Sequence, residues 1–514
     1  MELQRKGKPG TTFEDSITAT EFGKYNFVLI LMIAGPCIAQ MLNTVDLSYV
    51  LPIAECDLGL TLEDKGILNV VTFAGMITTG IYWGYLCDAL GRRTIIVYGY
   101  LASGLFALIA ALSTNKFVMI TARFLAGAII NGPFAAATSH ITEFHSNKYR
   151  GRVNIIRGIF LSGGSLLLPI LAWAILPRNW DINVFGLFDL HSWNMFLVLC
   201  SISTIFSGIV YIFIPESPKY LMSTGRNREA LRIMETMYSV NTGKRKEDFP
   251  IKELIEEVDN KQVVGNVGGA LKKTFIEIKY LLRQPHNTNL LLACFNVFSL
   301  LISVNTLKLW LPGIFQSISD YQNIHNGSST HLCIMLEQMS PNEETTVENC
   351  DVDLDNLSVY VNTFIVSVTR IVVFAFTGIC IRLLGLKRLT IVLSFLTAAF
   401  MFCIYFARDS TTVTVLSAAG TSIGSVAENL LVSLTLELFP TTLRTIALSI
   451  HLTSGRAGTL IGNIVFPYLL HWGCLPPFLF IGLFTFGKTC NLVCLLLYQK
   501  NFYFSMWVIL LLLS

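Results

Sequence analysis

Blocks of about 20 mainly apolar residues recur along this 514-residue chain, and that recurrence constrains its fold more than any other feature. A helix needs roughly 20 residues to cross a hydrocarbon core about 30 Å thick. Lipid offers backbone groups no hydrogen-bond partner, so a crossing segment is a helix or a strand of a closed barrel. The runs are continuous rather than alternating, which excludes the barrel. Charged residues make up 14% of the chain, against about 25% in soluble domains. The expected fold class is therefore an all-α membrane protein.

Twelve spans are expected, near 26–47, 66–86, 94–113, 117–139, 153–176, 193–214, 288–314, 359–384, 389–407, 412–436, 445–468 and 475–497. They divide the chain into a polar start (1–24), a six-helix bundle (25–214), a central loop (215–287), a second bundle (288–497) and a tail (498–514). The start lacks the apolar stretch and small-residue site of a cleaved signal peptide, so the first span is expected to direct insertion. Phe502 to Ser514 is apolar but too short to span, and its role stays open.

Basic residues set the orientation. Arg5, Lys6, Lys8, Lys24, Arg92, Arg93, Lys148, Arg150 and Arg152 fall on one side with Lys244, Arg245, Lys246, Lys272 and Lys273 of the central loop. Residues 315–357, on the other side, hold no Lys or Arg but eight acidic residues, among them Asp320, Glu337 and Asp355. Both termini are thus expected in the cytoplasm. An exoplasmic 315–357 loop suits the sequon at Asn326, whereas the one at Asn356 lies close to the membrane. Cys333 and Cys350 share that compartment and are expected to pair, with Cys56 and Cys474 as competitors.

Apolar residues at helical spacing in Arg228 to Tyr238 and Leu254 to Val258 are expected to form amphipathic helices along the inner membrane surface. The loop's lysines fit a solvated positive-inside segment, so no nucleic-acid partner is expected. Gly265, Gly268 and Gly269 follow no strand and read as a flexible turn.

The two bundles repeat each other. Gly84, Asp88, Gly91, Arg92 and Arg93 follow span 2; Gly378, Arg382, Gly385, Lys387 and Arg388 follow span 8. Gly84 and Gly378 stand 294 residues apart, as do Glu143 and Glu437, and Arg150 and Arg444. One shared offset implies pseudo-symmetric halves, an architecture of transporters with the substrate site between repeats.

The Gly-x-x-x-Asp-x-x-Gly-Arg-Arg loop from Gly84 resembles the signature of the major facilitator superfamily. Arg123 through Gly127, Gly132, Pro215-Glu-Ser-Pro218 and Glu437 through Arg444 resemble its sugar and organic-ion branch. Lys308-Leu-Trp-Leu-Pro312, followed by a long loop, is similar to synaptic-vesicle-glycoprotein-type transporter-like proteins. The resemblance covers roughly residues 20–497. It implies that Gly84 lets span 2 approach span 11, that Asp88 sits at the N-terminus of span 11, and that Arg92 or Arg93 pairs with Glu143. This network would close the cytoplasmic side, with Arg388 or Lys387 and Glu437 as the counterpart in the second half. Arg382 stands where Asp88 stands in the first half, so the second lock is no electrostatic copy.

Charges inside spans cost about 2.5–3.5 kcal/mol each on insertion scales. Asp46 (outer part of span 1), Arg123, Lys308, Arg370, Glu428 and Arg456 are the candidates for binding a substrate or ion, with Lys488 at an unsettled depth. For Glu428 and one arginine, two readings stand open: a structural ion pair, or a substrate-facing cavity. Two arginines competing for one glutamate leave a cation over, which favours an organic anion. Asp46, beside Asn43 and Gln40, argues instead for a proton or an organic cation. Asn69, Asn296, Trp310, Asn429 and His451 are either cavity lining or helix–helix hydrogen-bonding glue.

No phosphate-binding Walker sequence, His-Glu-x-x-His, Gly-x-Ser-x-Gly or Cys/His metal spacing occurs, so neither an enzyme, a metal site nor a cofactor is expected. The expected function is transport of a small organic solute (an organic ion or sugar-like molecule) by alternating access, alone or with H+ or Na+. A non-transporting membrane binder on the same fold is the alternative. A monomer in the plasma membrane or a vesicle membrane is the family default.

Overall fold

The computed structural model describes residues 11–178, 180, 182–184, 188–254, 279–284, 286–325, 328, 330–336, 357–439 and 443–499. Asn326, Asn356, Cys350, the glycine cluster, Lys272, Lys273 and the tail lie outside the described residues, as do the side chains of Asp88 and Arg444.

Among the described residues twelve helical spans follow one another, nine of them long and apolar enough to cross a membrane by length and composition. Span 1 runs from Lys24 to Leu58 as three consecutive segments, Lys24–Met32, Ala34–Val45 and Leu47–Leu58. Spans 2 to 6 are Leu62–Leu90, Arg92–Ala111, Lys116–Glu143, Asn147–Ile175 and Ser192–Tyr211. Spans 7 to 12 are His286–Ile324, Leu357–Leu384, Leu386–Cys403, Ser410–Leu438, Arg444–His471 and Leu475–Gln499. Spans 1 and 7 run beyond the expected limits, and Asp46 lies in the outer part of span 1 with one further helical segment, Leu47–Leu58, after it. A hairpin pairing Ile182–Val184 with Phe188–Leu190 joins spans 5 and 6, where only a loop was expected.

Packing repeats between the halves. Span 1 packs on 5, 2 on 4 and 3 on 6; correspondingly 7 packs on 11, 8 on 10 and 9 on 12. The halves meet through spans 2 and 11 and spans 5 and 8. Small residues permit the close crossings: a Cβ on Gly127 would fall 2.1 Å from the Thr72 carbonyl oxygen, and one on Gly458 2.3 Å from that of Phe298.

The end carrying Arg92, Arg93 and Arg150 is here called the basic end, and the opposite one, carrying Asp57, Glu63 and Asp409, the acidic end. At the basic end the repeat is conserved in backbone geometry. Gly91 (φ 91°, ψ 153°) breaks the chain between spans 2 and 3, and Gly385 (φ 75°, ψ 159°) does so between spans 8 and 9. Only glycine adopts that region freely, so the spacing that marks the motif is also a backbone requirement.

The central loop departs from expectation. Asn227–Thr242 is helical, but its apolar face (Ala230, Met234, Met237, Tyr238) is buried among Phe13, Ile17 and Phe249 and not laid on a membrane surface. The helix Phe13–Ala19 shares that core. Asn241 fastens the arrangement, accepting from the backbone N–H of Tyr25 at 2.9 Å and donating to the Thr20 carbonyl at 3.1 Å. The sequence before span 1 and the loop after span 6 thus build one base under the first half.

At the acidic end Cys333 is bonded to Cys474, not to Cys350 (Cα–Cα 5.3 Å). The cause is packing. Leu332, Met335 and Leu336 of the short helix Leu332–Leu336 are buried in the core of the second half, and the Leu332 N–H donates to Ala407. That docking sets Cys333 beside the start of span 12.

Candidate functional site: an interhalf cleft

Each half treats its buried charge differently. In the first, Asp46 and Arg123 form a two-pronged pair at 2.8 and 3.1 Å, with 1% and 0% of their side chains exposed. Asp46 also caps the segment Leu47–Leu58 by accepting from the Leu47 N–H at 2.8 Å. Nearby, Asn43 donates to Thr204, while the Gln40 amide oxygen is buried without a partner. The residue proposed from sequence as a cation or proton site is therefore occupied by an arginine of span 4.

The second half has an excess of cations. Glu428 lies in electrostatic reach of Lys308, Arg370, Arg456 and Lys488, in decreasing order of effect. Among the described residues no direct ion pair joins it to any of them. Arg370 crosses to the other half, where its guanidinium donates to Ser165 at 3.0 Å. Ser367 donates to the Ser165 carbonyl at 3.0 Å. A cavity of about 20 Å³, enough for about one water, lies here with Tyr49 and Ser165 on one wall and Lys308, Thr363 and Arg370 on the other.

Sequence reasoning passed over Arg157. It stands ten residues into span 5, about 15 Å along the helix, with its guanidinium 5.9 Å from the Phe134 ring. Grouped with Lys148, Arg150 and Arg152 it resembles one more loop cation; counting helical rise from Asn147 would have separated it.

The polar candidates divide. Asn296 donates to Asn491 at 2.7 Å and His451 meets Thr435 at 3.2 Å, both as interhelix glue. Trp310 stacks on Phe466 with its indole N–H buried, and neither that N–H nor the Asn69 amide oxygen has a partner among the described residues. Asn429 is exposed.

The halves touch at the acidic end and part at the basic end. A Cβ on Gly66 would meet Pro467 at 3.0 Å, and His471 of span 11 reaches Glu63 of span 2 at 3.0 Å. A Cβ on Gly84, near the other end of span 2, or on Gly378 would meet nothing within 4 Å. Gly84 thus meets no described residue of span 11 in this structure, contrary to expectation, whereas a Cβ on Gly80, one turn nearer the acidic end, would still meet Thr453 of span 11 at 3.9 Å.

Within the first half the basic-end network is assembled. Arg92 is the arginine that meets Glu143, at 3.3 Å, and its guanidinium lies 5.4 Å from the Tyr220 ring centre. Ser217 donates to the same carboxylate. Glu216 accepts from the Arg93 N–H at 3.1 Å, and Arg93 donates to the Ile212 carbonyl at 2.6 Å. Pro215-Glu-Ser-Pro218 therefore locks the span 2–3 turn to span 6, and a Cβ on Gly91 would strike Glu216 at 2.4 Å. Arg150 pairs with Glu14 at 2.8 Å. Arg388 and Glu437 are exposed.

The profile described as Major Facilitator Superfamily matches residues 36–337. Human synaptic vesicle glycoprotein 2B is 24% identical over 319 residues, 58% of this chain and 46% of that protein. Mouse synaptic vesicle glycoprotein 2C is 24% identical over 316 residues, 58% and 43%. The chain spans less than half the length of these curated relatives in the matched region. Among solved structures, the partially occluded inward-open xylose transporter XylE of E. coli superposes with a TM-score of 0.62 at 15% identity, over 93% of this chain and 100% of that one. A D-xylose-proton symporter gives a TM-score of 0.59 at 15% identity, over 93% and 98%. At such identities the superpositions establish the fold.

Proposed function

Because the chain belongs to the major facilitator superfamily, we propose that it carries a small organic anion across a membrane by alternating access, and that this conformation faces the cytoplasm. One observation carries the choice of an anion: Lys308, Arg370 and Arg456 lie in electrostatic reach of the single carboxylate of Glu428, and Lys308 and Arg370 line the interhalf cavity. A buried uncompensated cation is costly, and a solute carboxylate, sulfate or phosphate would relieve it. With the basic end assigned to the cytoplasm by the positive-inside rule, the parted helices around Gly84 open the cleft inward.

Asp46 has both oxygens committed to Arg123, so we read the pair as the place where a coupling proton would act. Protonating the carboxyl would release the arginine. That one relative by fold is titled a proton symporter supports H+ over Na+. The relatives' names support a vesicle membrane as a location beside the plasma membrane. We take the working unit to be a monomer in the bilayer.

The test is uptake in proteoliposomes against panels of anionic and cationic tracers. Wild-type protein takes up an anion; Arg456→Ala removes that uptake, while Asp46→Asn removes its dependence on a proton gradient. Uptake of cations alone would overturn the anion assignment. Saturable anion binding with no uptake in any gradient would favour the non-transporting binder instead.

A further inference from the structure

Lys488 stands apart from the cations of the cleft. Its side chain, in span 12, is 0% exposed, and its ammonium has no hydrogen-bond partner among the described residues. A solute in the cleft cannot touch it. Glu428 is the carboxylate in its electrostatic reach, and Lys308, Arg370 and Arg456 act on that carboxylate more strongly.

The seam between spans 7 and 12 fixes what lies opposite. The two helices run antiparallel. Thr485 donates to Ser303 at 3.4 Å near one level, and Asn296 donates to Asn491 at 2.7 Å near another. Residues 296, 299 and 303 share one face of span 7, and 485, 488 and 491 one face of span 12, by three- and four-residue spacing. Between the two bonded levels the register brings Ser299 opposite Lys488. Ser299 is 0% exposed and its hydroxyl has no partner among the described residues. That is anomalous, because Ser303, Thr485 and Thr489 on the same seam each donate to the carbonyl four residues before. One turn away the Asn296 amide oxygen is also buried and unpartnered. Lys488 and Ser299 are thus two buried donors, brought to one level of the seam by its register, with no acceptor among the described residues.

We infer that Lys488 and Ser299 hold a small inorganic anion of halide size inside the second half, apart from the cleft. Water would satisfy the hydroxyl and the amide oxygen but would not neutralise the ammonium. A halide accepts from both donors and supplies the missing charge. This site goes beyond the proposed transport function and stands whether or not the protein carries an organic anion.

The experiment is thermal unfolding of the purified full-length protein in chloride, bromide or gluconate at constant ionic strength. Chloride and bromide raise the melting temperature saturably, and gluconate does not. Lys488→Met abolishes the response. Ser299→Ala raises the half-saturating concentration roughly tenfold, as loss of a hydrogen bond to a charged group requires. Arg456→Gln, a change in the cleft, leaves it intact. Absence of halide-specific stabilisation in the wild type, or an unaltered response in Lys488→Met, overturns the assignment. So does competition between halide and an organic anion, which would put the halide in the cleft. Should Lys488→Met fail to fold, Ser299→Ala and radiolabelled chloride binding to the wild type decide: saturable binding weakened in the variant supports the site, and no binding overturns it. Because none of these readouts is transport, the result is separable from the uptake tests above.

Discussion

At the scale of single residues, the expense of charge in lipid made the important side chains visible in the sequence, but not their partners. Asp46 and Arg123 were singled out separately; that they satisfy each other across 77 positions is a property of how spans 1 and 4 pack. Removing one member of such a buried pair leaves an uncompensated charge and costs about 3–5 kcal/mol, whereas replacing both with apolar groups is often neutral. Asp46→Leu or Arg123→Met alone should therefore lower the melting temperature sharply, and the double variant should recover it while remaining inactive in uptake. Equal losses that simply add would show that the pair is not coupled. Gly91 makes a second case: its φ of 91° and the 2.4 Å approach of Glu216 leave no room for a side chain. Gly91→Ala should cost about 1–3 kcal/mol, measured by thermal unfolding, and Gly151→Ala, at the basic end of span 5 with open space around it and no positive φ, should cost much less.

At the scale of elements, the twelve spans were legible because their length is dictated by the bilayer. The segments outside it were not, since nothing external fixes where an amphipathic loop lays its apolar face. Asn227–Thr242 had the pattern of a surface helix, but Phe13 and Ile17 of the N-terminal helix cover it. The loop between spans 7 and 8 departs from expectation for a related reason: a shared compartment favoured Cys350 over the competitors Cys56 and Cys474, and the burial of Leu332 and Met335 decided for Cys474. A disulfide joining residues 141 positions apart is worth up to about 5 kcal/mol by chain entropy. Cys474→Ser should lower the melting temperature and make Cys333 reactive to a maleimide after mild heating. Retention of full stability together with an unreactive Cys333 would count against the link as a stabilising element.

At the scale of the whole molecule, the 294-residue repeat announced two halves, and their matched packing follows it. Which end is shut could not be read from sequence, because a transporter uses one sequence for both states and their free energies differ by only a few kcal/mol. The glycines record the state directly: Gly66 is in contact and Gly84 is not. A bulky side chain at Gly84 fits this conformation and would obstruct the one that the proposed alternating access requires, in which spans 2 and 11 close at the basic end. Gly84→Leu should thus express and unfold like wild type, within about 0.5 kcal/mol, but fail in uptake. Normal uptake by Gly84→Leu would remove the proposed closure.

The docking of Leu332–Leu336 onto one bundle, stapled by Cys333 and Cys474, has a practical use. An antibody fragment gripping that surface would ride with the second bundle alone. Paired with a probe on the span 5–6 hairpin, it would act as a ruler for the proposed rocking of one bundle against the other: a distance that never changes would count against that movement.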